Sequence, residues 1–173
     1  MDAPSPPVTI SRRDIVFAPA ALVALWGSGC AQSEPAPTAS YLLLDGSRLH
    51  SDTLKGQVVL VNFWATSCVS CVKEMPDLVS THQRFSPRGY ETIAVAMSHD
   101  PPSYVLNFAQ SRNLPFKVAL DHTGELARLW GDVRLTPTTF LVNRRGQIVK
   151  RYVGEPDFPA LHRLLDDLLS QSA

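Results

Sequence analysis

At 173 residues and 45% apolar composition, the chain can bury the core of one domain with a short appendage, and global disorder is excluded. Lys plus Arg and Asp plus Glu number 16 each, so the formal charge is zero and no basic stripe argues for nucleic acid. The five histidines are scattered, and none joins Cys30, Cys68 or Cys71 at metal-ligand spacing, so no metal is expected.

Residues 1–30 read as an export signal. Arg12 and Arg13 supply its positive start, and residues 15–26 (IVFAPAALVALW) its apolar run. That run falls short of the about 20 residues that span a bilayer and suits a signal peptide. A buried core helix is the competing reading, and Pro19 inside the run argues against it. Next, Gly27-Ser28-Gly29-Cys30 resembles a lipobox, with Gly27 where Leu is usual. Lipidation of Cys30 would account for the odd thiol and anchor the domain to a membrane surface, with ordinary cleavage nearby as its competitor. Residues 11–16 (SRRDIV) resemble a twin-arginine signal, and a general secretory signal fits equally well. The expected location is extracytoplasmic or periplasmic. Residues 31–40, with Pro35 and Pro37, read as a tether.

The globular pattern covers residues 41–173. Residues 41–44 and 48–50 form two short strands turned by Asp45-Gly46, an N-terminal hairpin. Residues 58–64 (VVLVNFW) are nearly continuous apolar, the mark of a strand covered on both faces. A helix follows over 68–85, a strand over 91–97 and a helix over 103–112. Residues 116–120 are a strand, 121–124 a turn and 125–130 a short helix. Strands at 138–142 and 147–153 flank a Gly-containing loop. The chain closes with a helix over 158–169, where Leu161, Leu164, Leu165, Leu168 and Leu169 recur at helical spacing. The order predicts an α/β domain with a central mixed sheet flanked by helices.

The chemistry-bearing feature is Cys68-Val69-Ser70-Cys71, where the first long strand passes into a helix. A zinc site needs about four ligands, and the second pair is absent. A stabilising crosslink gains little from so small a loop. A redox pair needs only this spacing and a means of stabilising one thiolate, which the first turn of a helix supplies through unpaired N–H groups and its positive dipole end. Cys68 would stand at that end, with Cys71 close enough to resolve a mixed disulfide.

FWATSCVSCVKEMP, followed by DHTGELARLWGDVRLTPTTFLVNRRGQIVKRYVGE, resembles the thioredoxin superfamily, specifically its TlpA/ResA-like exported branch, over essentially the whole domain. The resemblance implies a thioredoxin fold and a thiol–disulfide oxidoreductase acting on protein thiols and disulfides, with no cofactor beyond the Cys68–Cys71 pair. Cys68 would attack and Cys71 resolve. The resemblance also implies a cis Thr136-Pro137 bond beside the disulfide, where substrate would contact Thr136 and Pro137 with Trp64 flanking; packing is the plainer reading of Trp64. The branch carries a functional Glu at the place of Glu74, which lies on one helix ridge with Cys68 and Cys71; a solvated helix Glu is the alternative. Asn62 stands where cytoplasmic thioredoxins bury an Asp, and its plain reading is a hydrogen-bonded core amide. The branch further points to reductase action fed by a membrane electron donor. Ser67, Val69 and Ser70 depart from the usual Trp and Pro of the motif, so the redox potential does not follow from the resemblance. A peroxiredoxin would need Thr three places before its reactive Cys, where Ala65 stands. A copper-handling module would need wider-spaced Cys and a partnered His.

Overall fold

The computed structural model describes Met1 and residues 34–171. Apart from Met1, the segment read as an export signal, Cys30 included, lies outside the described residues. Among the described residues, eight strands form one sheet: β1 (Glu34–Pro35), β2 (Ser40–Leu43), β3 (Arg48–His50), β4 (Val58–Trp64), β5 (Tyr90–Ala96), β6 (Lys117–Leu120), β7 (Thr138–Val142) and β8 (Gln147–Val153). Their spatial order is β1-β8-β7-β4-β5-β6-β2-β3. The β4–β5 and β5–β6 pairs are parallel, whereas β7 runs antiparallel to both β4 and β8. The described residues also include the helices α1 (Val69–Phe85), α2 (Pro102–Ser111), α3 (Glu125–Leu129) and α4 (Phe158–Ser170).

β4 is buried at all seven positions. Val58, Leu60 and Trp64 join a core with Cys71, Leu78 and Phe85 of α1 and Leu161 and Leu165 of α4. The alternate residues Val59, Val61 and Phe63 join a second core with Leu126 and Ala127 of α3 and with Trp130. Side chains of a strand alternate between faces, so a strand with a core on each side has no place for a polar stripe.

The hairpin of β2 and β3 forms as expected and docks through β2 on β6. One boundary differs from the sequence reading. Within the stretch assigned to a tether, Glu34 and Pro35 pair with Ile148 and Gln147 of β8, and Ala39 is buried, so the sheet starts earlier. α1 continues through Pro76. At the end of the sheet where β4 begins, Arg144 donates to three backbone carbonyls: Gly56 at 2.7 Å, Arg88 at 3.2 Å and Leu169 at 3.4 Å. Gly89, at φ +89°, lets this guanidinium pass; a Cβ there would stand 3.3 Å from it.

Candidate active site

The turn between β4 and α1 ends on Cys68, and Cys71 lies in the first turn of α1. The position of the β4–α1 turn is fixed by Asp100, which follows β5 and accepts hydrogen bonds from the Thr66 amide and from Thr66 Oγ1 at 2.6 Å. That engagement takes up the Thr66 hydroxyl, the nearest candidate for the peroxidase Thr missing at Ala65. Cys68 is the N-cap of α1, and Val69 begins the helix. Cys68 and Cys71 form a disulfide, S–S 2.15 Å.

The two sulfurs occupy unlike environments. Cys71 is fully buried in the core shared by α1 and β4, whereas Cys68 is only partly buried and lies between exposed Ser67 and exposed Val69. Cys68 Sγ accepts from the Cys71 amide at 3.2 Å, and the Ser70 hydroxyl lies 3.5 Å away. An orphan N–H of the first helical turn thus already points at the sulfur that would carry negative charge after reduction.

Glu74 lies one helical turn beyond Cys71. It is not the solvated helix residue that its charge allows in sequence, because its exposure is 0%. Asn62, on β4, donates from Nδ2 to Glu74 Oε1 at 2.9 Å and to Thr139 Oγ1 at 2.9 Å. Burial raises the Glu74 carboxyl from 4.5 to about 7; the Asn62 hydrogen bond opposes the rise, and the charges of Glu155 and Asp77 add to it. Glu155, in the segment after β8, is paired with Lys73 of α1 at 3.1 Å. Asn62 is thereby the hydrogen-bonded core amide expected from sequence, and its partner is the titratable group of the site.

The Thr136-Pro137 bond is cis. Thr136 is half-buried and Pro137 buried, at the entrance to β7. This loop is tied down twice: Thr138 Oγ1 donates to the Leu135 carbonyl at 2.7 Å, and the Gly154 amide donates to the Pro137 carbonyl at 2.8 Å. Because Thr138 pairs with Phe63 of β4, the loop stands at the end of the sheet that carries the cysteines.

Trp64 is a correction to the sequence assignment of substrate contact. It is fully buried, in the same core as Cys71, and packs on Phe108 of α2 with ring centroids 5.1 Å apart. An even-numbered position of β4 faces α1, so Trp64 supports the site from beneath. Exposed apolar surface at this end of the sheet comes instead from Val69, at 84% exposure, and from Leu135 in the loop before β7, at 66%. Sequence reasoning also passed over Asp100 and Thr139, which act from 34 and 77 residues away and carry no local signal. Among the described residues, no cluster of three or more His, Cys, Asp or Glu could hold a metal ion.

Comparison with known proteins gives concordant results. A family model described as Redoxin matches residues 31–165. The thiol-disulfide oxidoreductase ResA of Bacillus subtilis (strain 168) is 34% identical over 132 residues, 75% of this chain and 73% of that protein. The ResA of Bacillus thuringiensis subsp. konkukian (strain 97-27) is 34% identical over 112 residues, 65% of this chain; the chain spans 64% of that protein's length. Among solved structures, a thiol:disulfide interchange protein of the thioredoxin family from Chlorobium tepidum TLS superposes with a TM-score of 0.74 at 28% identity, covering 81% of this chain and 99% of that one.

Proposed function

The chain belongs to the Redoxin family, as a TlpA/ResA-like member of the thioredoxin superfamily, and from that premise we propose that it is a thiol–disulfide oxidoreductase that reduces disulfides of exported proteins. The observation that carries this reading is the asymmetry of the pair: Cys68 caps α1 and is partly exposed, whereas Cys71 is sealed in the core one helical turn before the buried Glu74.

In the reduced protein the Cys68 thiolate attacks one sulfur of a substrate disulfide, forming the Cys68–substrate disulfide and releasing one substrate thiolate. Glu74, as a carboxylate, takes the proton of the Cys71 thiol. The Cys71 thiolate then attacks Cys68 Sγ, which breaks the mixed disulfide and releases the second substrate thiolate. Two electrons have passed to the substrate, and the Cys68–Cys71 disulfide remains. Exposed Val69 and Leu135 offer apolar contact to the segment around the substrate cysteine, and the half-buried Thr136 backbone offers it hydrogen bonds. A membrane electron donor returns two electrons to the disulfide. Lipid at Cys30 keeps the domain at the membrane where that donor works, and the apolar run and lipobox-like sequence before Cys30 support this placement.

The decisive experiment is substrate trapping with Cys71→Ser, which leaves the attacking sulfur and removes the resolving one. Mixed disulfides with exported proteins should accumulate at Cys68. Their absence, with Cys68 reduced and reactive, would refute the exchange function.

A further inference from the structure

The Glu74 carboxyl receives one side-chain hydrogen bond, from Asn62 Nδ2. A carboxamide nitrogen has two protons, and Asn62 gives its second to Thr139 Oγ1. The amide plane is therefore held by two partners on different elements, Glu74 on α1 and Thr139 on β7. All three residues have 0% exposure, so water does not compete for these bonds. In this arrangement Nδ2 meets both acceptors while Oδ1 has no partner among the described residues, so removing the Thr139 hydroxyl takes away one of the two acceptors that hold the N–H end on the Glu74 side. An Nδ2 end donates to a carboxylate, whereas an Oδ1 end repels a carboxylate and accepts from a neutral carboxyl.

We propose that Thr139 and Asn62 are positioning residues for the exchange reaction: Thr139 clamps the Asn62 carboxamide with its N–H toward Glu74, holding Glu74 as the carboxylate that takes the proton of Cys71. The inference deepens the proposed function and rests on its assignment of Glu74. It also ties the proton to the substrate loop, since Thr139 follows Pro137-Thr138 in the strand that the loop enters. The other groups around Glu74 act in the opposite sense. Asp77 on α1 and Glu155 beyond β8, the latter paired with Lys73, both favour the protonated carboxyl, as does burial. Cys68 and Cys71, on the same helix, stand in the disulfide and bear no charge until reduction.

The test uses the full-length protein, reduced, with Thr139→Val, Thr139→Ser, Asn62→Leu and Glu74→Gln. Valine keeps the shape of Thr and suits a strand, so Thr139→Val removes little besides the hydroxyl. Two quantities are followed against pH: the carboxyl carbon-13 shift of Glu74 and the alkylation rate of Cys71. Thr139→Val should raise the Glu74 midpoint by about half to one pH unit and Asn62→Leu by about one or more, the size of one hydrogen bond to a charged group. Thr139→Ser should restore the parent midpoint. A purely structural role predicts a lower melting temperature with the midpoint unmoved, and that result for Thr139→Val would overturn the proposal. If Glu74→Gln leaves the Cys71 profile unchanged, the assignment of Glu74 in the mechanism fails. The carbon-13 midpoint in Thr139→Val still tests the clamp, which stands only if that midpoint rises. Should Asn62→Leu fail to fold, the Thr139→Val and Thr139→Ser pair decides alone.

Discussion

Replacing Glu74 by Gln should change how stability depends on pH more than it changes stability itself. A carboxyl whose folded value is raised binds its proton more tightly in the native state than in the unfolded chain. Stability is then fully present below the unfolded value and falls as pH rises toward the folded one. For Glu74 those limits are 4.5 and about 7. At roughly 1.4 kcal/mol per pH unit, the ionised carboxylate costs the folded state about 3 kcal/mol above pH 7 relative to pH 4, and with 0% exposure solvent does not screen this cost. Gln cannot ionise, so the variant escapes the loss. Urea unfolding of the oxidised parent and variant, at intervals from about pH 4 to 8, measures the difference, and the other titrating groups cancel in it. The gap should widen steadily in favour of Glu74→Gln between the two limits and then level off. A gap independent of pH would mean that Glu74 does not titrate in this range, and the assignment of the proton acceptor would fall with it.

Ser70→Ala removes the hydroxyl 3.5 Å from Cys68 Sγ while sparing the Cys71 amide, so the Cys68 thiol should become less acidic by a fraction of a pH unit. Alkylation of reduced protein over a pH series, mapped by residue, reads this directly; preferential labelling of Cys71 at low pH would reverse the roles of the two cysteines. Equilibration with dithiothreitol buffers should place the disulfide nearer the about −270 mV of a reductant than the about −120 mV of a strong oxidant. A value at the oxidising end would reverse the direction of electron flow. Cys30→Ala should shift the protein from the membrane to the soluble fraction of cells, and an unchanged distribution would exclude the lipid anchor.

Local pattern made the frame legible. The nearly continuous apolar run of β4 demands a core on each face, and the cysteines fall where that strand passes into a helix, so position and chemistry agree in the sequence itself. Glu74 was legible only in part. Its spacing put it on a ridge with the cysteines, but spacing does not say whether the ridge faces water. Leu78 and Phe85, further along the buried stripe of α1, hold that answer. Trp64 has two readings in sequence, substrate contact beside the loop and packing; strand alternation turns it inward, and packing is the one that holds. Thr139 and Asp100 were invisible, since each meets the site only through tertiary contact. β1 was missed for another reason: two exposed residues, one a proline, have no periodicity, and pairing with β8 alone defines the strand.

The Arg144 clasp has a practical consequence for handling the protein. It gathers the carbonyls of Gly56, Arg88 and Leu169 at the beginning of β4, and the cysteines lie beyond that strand's other end, about 20 Å away by strand rise. The last turn of α4 is thus fastened at the pole remote from the chemistry. A label or fusion partner joined after α4 would leave the approach to Cys68 open, whereas trimming α4 back past Leu169 would remove one of the three carbonyls and loosen the clasp. The C-terminal side is the one on which to attach a handle for trapping experiments.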